Sequence, residues 1–129
     1  MPLRLSLLFV VSLAACAHAI TLTNVRDGTE VAGTHRPWSQ SIQIILPSGE
    51  RCEGQYQPLT TKTIGEESLF YRSHVATILG HNTVEQFHGY ARLTGDQGTV
   101  VELVFSSGWT GSGFGLAKAS SGEEYRVTF

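Results

Sequence analysis

Three histidines at a spacing of seven residues are the first candidates for chemistry in this chain: His74, His81 and His88, with Glu85 between the last two. On a continuous helix this spacing would align the imidazoles along one stripe, where they could bind Zn²⁺ or Cu²⁺. Gly80 and nearby β-branched residues disfavour such a helix, and on strands the spacing puts successive side chains on opposite faces. We therefore expect no metal site and no cofactor. A small metal-binding or hydrolytic enzyme that uses these histidines is the alternative interpretation.

The sequence gives little support for nucleophilic catalysis. Cys52 alternates with Gly54 and Tyr56, which is typical of a small residue in a core, and a thiol that pairs between two chains is the other interpretation. No Gly-x-Ser-x-Gly elbow for a catalytic serine is present. Residues 111–115 are rich in glycine, but they lack the following helix that a phosphate-binding loop needs. We therefore expect that the protein is not an enzyme.

Aromatic side chains in Gly- and Ser-rich segments are the candidates for a binding surface: Trp109, Phe114 and Tyr125. An exposed tryptophan in a loop can anchor a sugar, a peptide or a protein, whereas a Trp109 folded back over the sheet would act as a lid. Three glycines alternate along one face of the strand predicted there: Gly111, Gly113 and Gly115. We expect Trp109 or Tyr125 to lie over that bare face.

Composition excludes two classes of protein. The formal net charge is −2 and charged residues make up 16% of the 129 residues, without a cluster of Lys and Arg, which excludes an electrostatic nucleic-acid binder. The apolar content of 41% excludes a polar disordered chain. The length allows a single domain.

Residues 1–19 are predicted to be an export signal. Arg4 provides a short positive segment, and the apolar stretch from Leu5 to Leu13 is too short to span a bilayer as a helix. Cleavage after Ala17-His18-Ala19 would leave Ile20 as the first residue of a secreted or periplasmic protein.

A second cleavage site competes with the first. Leu13-Ala14-Ala15-Cys16 resembles the lipobox of bacterial lipoproteins, which implies a signal at residues 1–15 and lipidation of Cys16. In that case the mature protein is a periplasmic or outer-membrane-anchored lipoprotein. Its only membrane contact would be the lipid at Cys16.

The rest of the chain, residues 20–129, is predicted to be one all-β domain, a small antiparallel sandwich or barrel of about eight to ten short strands. Asp27-Gly28 is a strong hairpin signal, and residues 41–46 alternate apolar and polar side chains before the turn at Pro47-Ser48-Gly49-Glu50. Residues 99–105 alternate most clearly. Residues 66–79 fit a helix or two short strands, of which we favour strands because of their β-branched and aromatic content.

Two segments carry a resemblance to small bacterial exported lipoproteins of unassigned function: residues 48–56, with the sequence Ser-Gly-Glu-Arg-Cys-Glu-Gly-Gln-Tyr, and residues 98–113. The resemblance implies a series of Gly-rich hairpins. A later strand in those proteins often has a second cysteine, which Val101-Glu102-Leu103 replaces in this chain. Separately, Ser121-Gly122-Glu123-Glu124-Tyr125 is similar to the Ser-Gly-x-x-Tyr loop of periplasmic lysozyme inhibitors, which are small β-barrels.

These patterns together predict a non-enzymatic binding or accessory domain of the cell envelope, or a secreted one. Its expected partner is an envelope protein or a glycan and not a nucleic acid.

Overall fold

Eight antiparallel strands close into a barrel in the computed structural model, which describes residues 17–59, 88–107 and 113–129. The strands in chain order are β1 (His18–Asn24), β2 (Glu30–Arg36), β3 (Ser41–Ile45), β4 (Arg51–Pro58), β5 (Gly89–Gly95), β6 (Val100–Ser107), β7 (Gly113–Ala119) and β8 (Glu124–Thr128). Each strand pairs with the next, and β1 closes the barrel against β8, with Leu22 opposite Val127. The all-β prediction is confirmed, and the architecture is a barrel. Over these described ranges, no helix is long and apolar enough to cross a membrane.

Four tight turns join the strands at one end of the barrel. They occupy residues 25–29, 46–50, 96–99 and 120–123. Each contains a glycine with positive φ, from 76° at Gly28 to 108° at Gly122, a conformation that other residues rarely adopt. The hairpins predicted at Asp27-Gly28 and at Ser48-Gly49 are therefore confirmed.

Apolar side chains fill the barrel interior in the alternation that the sequence predicts. Ile42 and Ile44 of β3 and Leu103 of β6 are buried and belong to one hydrophobic cluster with Leu22 and Leu93. Barrels of eight strands are just wide enough for their side chains to fill them. The interior of this barrel is a packed core.

The outer face of β5 and β6 departs from the predicted alternation. Tyr90, Glu102 and Val104 point away from the core, yet all three are buried. The Glu102 carboxylate pairs with Arg92 at 3.2 Å and accepts a hydrogen bond from Tyr90. Burial, and then the charge of Glu102, raises the pKa of Tyr90 to about 12, so the phenol keeps its proton.

An aromatic ring covers the glycine face of β7, as predicted, but it belongs to a different residue. A Cβ at Gly113 would lie 2.7 Å from the Phe129 ring and against the Ser106 carbonyl oxygen. Tyr125 pairs with Ala117, further along the strand, because β8 runs antiparallel to β7. The expectation that Tyr125 covers these glycines is therefore wrong, whereas Trp109 and Gly111 lie outside the described residues.

Candidate functional site

The two ends of the barrel differ in their connections. The turn end is the end that carries the four tight turns. The opposite end, called the histidine end here, carries His18, His35 and His88. The chain enters β1 at this end, and residues 37–40 connect β2 to β3 there. Residues 60–87 follow β4 and residues 108–112 follow β6, and both of these strands finish at this end.

Every histidine that the structure describes lies at the histidine end, because of the direction of its strand. His18 opens β1, His35 is the penultimate residue of β2, and His88 immediately precedes β5. Odd-numbered strands start at this end and even-numbered strands finish there. The antiparallel order thus gathers residues that are far apart in the sequence.

His35 is the centre of an aromatic cluster that closes the interior at this end. Its ring centroid lies 5.1 Å from that of Tyr56, 6.1 Å from Phe129 and 6.2 Å from His18. Phe105 makes edge-to-face contacts with Tyr56 and Phe129, at 5.5 Å and 5.7 Å. These are favourable separations for aromatic pairs. The cluster separates the aliphatic core from the rim.

His35 was not among the functional residues predicted from the sequence, although the sequence contains a signal for its position. His35 stands two and four residues after Gly33 and Val31, and residues at this spacing on a strand share one face. Val31 is fully buried, so the same pattern directs His35 inward. The observed β2 continues to Arg36 and therefore includes His35.

The His35 imidazole combines burial with an unused polar atom. Its Nε2 is buried and has no hydrogen-bond partner in the described part of the chain. Burial, with a smaller contribution from His18, lowers the pKa of His35 below its ordinary value. The neutral ring is therefore the form that the fold favours.

A small apolar cavity lies beside this ring and limits what the interior can hold. Ile20, Ile42, Leu103, Phe105, Val127 and Phe129 line it together with His35. Its volume is about 10 Å³, measured as the space open to the centre of a water molecule. That is room for about one water molecule. A ligand larger than a water molecule does not fit this cavity.

Among the described residues, two large apolar side chains are exposed at the histidine end. Trp38, in the connection between β2 and β3, is 60% exposed, and Phe114, on the outer face of β7, is 55% exposed. Exposed aromatic residues of this kind are typical anchors of binding surfaces. Phe114 was predicted as a ligand-binding candidate and is exposed at this end, while Trp109 lies outside the described residues.

The described charged side chains are also distributed unevenly between the two ends of the barrel. The described Asp and Glu side chains lie in the middle of the barrel or toward the turn end: Asp27, Glu30, Glu50, Glu53, Asp96, Glu102, Glu123 and Glu124. The histidine end has Arg36 and the histidines, without a described carboxylate side chain.

The turn end is built around a structural carboxylate. Glu50 is 3% exposed, and its carboxylate accepts hydrogen bonds from the N–H groups of Gln97 and Thr99, at 2.9 and 3.0 Å, and from the Thr99 hydroxyl. These bonds, above all the one from the Thr99 hydroxyl, hold the pKa of Glu50 below its ordinary value. Glu50 thus connects the β3–β4 turn to the β5–β6 turn.

Tyr125, the third predicted ligand-binding residue, lies near this turn end. Its side chain is 4% exposed and borders an open concavity with Asp27, Ser48 and Glu123. Burial raises the pKa of Tyr125. The Ser121-Gly122-Glu123 segment, which is similar to part of a lysozyme-inhibitor loop, forms the β7–β8 turn beside it.

The predicted metal and thiol residues divide between described and undescribed parts of the chain. His88 is exposed, and its backbone bonds to Phe105 and Leu59, whereas His74 and His81 lie outside the described residues, as does Cys16. Residues 17–59, 88–107 and 113–129 contain no group of three or more His, Cys, Asp or Glu side chains that could hold a metal ion.

Cys52 is a fully buried free thiol in the barrel core. Burial, followed by the charges of Glu50 and Asp96, raises its pKa to about 11. A thiol must lose its proton to act as a nucleophile. The position of Cys52 agrees with the interpretation of a core residue.

Comparison with known proteins finds no similarity: no protein family, no curated protein and no solved structure matches this chain. The function is therefore inferred from the residues of the barrel.

Proposed function

We propose that this chain is an exported, non-enzymatic binding or accessory domain of the cell envelope, and that it contacts its partner through the histidine end. The observation that carries the proposal is the placement of Trp38 and Phe114. Both are more than half exposed, and they share the end that has histidines and no described carboxylate side chain. Exposed aromatic side chains of this kind are suited to binding another molecule.

The close packing of the barrel interior supports a function in which the protein binds its partner at the surface. The core is packed with aliphatic side chains, and the cavity beside His35 has room for about one water molecule. The buried thiol of Cys52, with its raised pKa, is unsuited to nucleophilic catalysis. These features favour a rigid scaffold that presents a contact surface.

The start of β1 supports lipidation at Cys16 over cleavage after Ala19. His18 and Ala19 already pair with His35 and Thr34 in the barrel. Cleavage after Ala19 would remove both residues from a seven-residue strand. Cleavage before Cys16 would leave β1 whole, and we propose this form as the mature protein.

Photocrosslinking in living cells tests the proposed contact surface. A benzophenone amino acid replaces one residue at a time: Trp38 or Phe114 at the histidine end, and Val25 or Ile45 at the turn end. The turn-end positions are matched controls, because Val25 is 53% and Ile45 50% exposed.

The proposal predicts adducts at positions 38 and 114 that greatly exceed those at positions 25 and 45. Mass spectrometry then identifies the crosslinked molecule as protein, glycan or lipid. Equal yields at the two ends, or higher yields at the turn end, would contradict a contact surface at the histidine end.

A further inference from the structure

The position of Cys16 relative to β1 sets how a lipid anchor would hold the barrel. Ala17 is the single residue between Cys16 and His18, the first residue of β1. Two residues of extended chain span at most about 7 Å. A lipid on Cys16 would therefore bring the histidine end to within that distance of the membrane, without a linker.

We infer that the histidine end rests directly on the membrane surface, with Trp38 and Phe114 at the level of the lipid headgroups. This inference rests on the proposed lipidation of Cys16, and it names an anionic lipid bilayer as the partner of the proposed contact surface. The barrel axis would then point away from the membrane surface, and the turn end would face the aqueous compartment.

The side chains of the histidine end suit such a surface. Trp38 is 60% exposed, and tryptophan is enriched where proteins meet the membrane interface. Arg36 is exposed beside it and provides a permanent positive charge. The described Asp and Glu side chains lie elsewhere, so among the described side chains of this end Arg36 provides the charge that anionic lipid would attract.

The turn end is far enough away to serve as an internal reference. A seven-residue strand such as β1 is about 23 Å long, which is about 18 Å along the axis at the tilt usual in barrels. Acidic side chains dominate the turn end, with Asp27, Glu50, Asp96 and Glu123 among them. The two ends therefore differ in both distance from the anchor and charge.

Depth-dependent quenching of tryptophan fluorescence tests the orientation. The acylated protein is purified from membranes and reconstituted in vesicles of phosphatidylethanolamine and phosphatidylglycerol that contain lipids brominated near the headgroup. One variant, Trp109→Phe, keeps Trp38 as the fluorophore. The matched control combines Trp38→Phe, Trp109→Phe and Val25→Trp, which moves the fluorophore to the turn end.

We expect the Trp38 emission to be quenched severalfold more than the emission from position 25. If Trp109→Phe does not fold, the quenching that Trp38→Phe removes from the otherwise native chain gives the same comparison. Equal quenching at the two positions, or stronger quenching at position 25, would overturn the inference. A purified chain without lipid on Cys16 would overturn it as well.

Charge reversal separates the lipid surface from other partners. Arg36→Glu is expected to reduce quenching of Trp38, whereas Arg126→Glu, an exposed control on β8 toward the turn end, leaves it unchanged. If neither substitution changes the quenching, attraction to anionic lipid is refuted. If photocrosslinks at positions 38 and 114 identify a protein or glycan while Trp38 is not quenched, this inference fails and the proposed contact surface stands.

Discussion

His18 lies directly opposite His35 in the β1–β2 register, with the two ring centroids 6.2 Å apart. This pair joins the first residue of the barrel to the aromatic cluster that closes its interior. His18 is exposed, whereas the Nε2 of His35 is buried. The residue at which the chain enters β1 therefore takes part in the ring contacts at the rim of the barrel.

The lowered pKa of His35 predicts that stability falls in mild acid. In the unfolded chain His35 binds a proton at an ordinary histidine pKa of about 6.5, whereas burial lowers its pKa in the folded protein, so at a given pH in this range the folded protein binds fewer protons. The free energy of unfolding should therefore be highest above about pH 6.5 and decrease as the pH falls from there through the folded-state pKa.

Urea denaturation between about pH 7.5 and pH 5 measures this dependence, above the range in which carboxylates titrate. Tyr56, which faces His35, stays protonated throughout because burial raises its pKa further. His35→Phe should flatten the dependence, whereas His88→Gln, a change at an exposed histidine, should not. An unchanged slope in His35→Phe would refute the assignment.

Gly113→Val is predicted to destabilise the barrel although valine favours strands. The new side chain would collide with the Phe129 ring and with the Ser106 carbonyl oxygen, which belongs to the backbone of β6. Overpacking of this kind costs roughly 1–3 kcal/mol. Thr128→Val, at an exposed position of the adjacent strand, is the control and should change stability by less than about 0.5 kcal/mol. Chemical denaturation checks both, and a Gly113→Val protein as stable as the parent would contradict the close contact.

Gly95 is predicted to be coupled to Glu50. A Cβ at Gly95 would collide with the Glu50 carboxylate and lie 3.0 Å from the Cys52 sulfur. Gly95→Ala should therefore destabilise the protein by roughly 1–3 kcal/mol. In a Glu50→Ala background the carboxylate is gone, so the same change should cost less. A double-mutant cycle measures this difference, and purely additive effects would show that the carboxylate is not the obstacle.

Local signals in the sequence predicted much of the barrel. Asp27-Gly28 and Ser48-Gly49 specify turns because glycine tolerates the positive φ found there, 76° and 90°. The alternation of Ile42 and Ile44 with polar neighbours correctly predicted the buried face of β3. Such signals act within a few residues, and a single sequence shows them directly.

Barrel closure and the composition of the histidine end depend on contacts that local patterns do not encode. Leu22 pairs with Val127 across almost the whole chain, so the choice between a sandwich and a barrel stayed open in the sequence. The cluster of His35, Tyr56 and Phe129 depends on that same closure. The burial of Glu102 could not be predicted from the sequence either, because its position in the alternation indicates an outward, solvated side chain.

We predict that the mature protein begins at a lipidated Cys16. Because β1 uses His18 and Ala19, we expect export to leave these residues in place. Intact-mass measurement of the natively exported chain should give an N-terminus at Cys16 with added lipid mass, and Cys16→Ser should remove that mass. A mature chain that begins at Ile20 would refute the anchor.

Hydroxyl-radical footprinting of the unmodified protein tests the central claim, that the histidine end is the contact surface, most directly. Oxidation is compared residue by residue between the protein in native cell envelopes and the same chain produced without lipid and purified in buffer without detergent. We predict that oxidation of Trp38 and Phe114 falls severalfold in the envelopes, while oxidation of Val25 and Ile45 does not change. Unchanged oxidation at Trp38 and Phe114, or protection confined to Val25 and Ile45, would contradict the account.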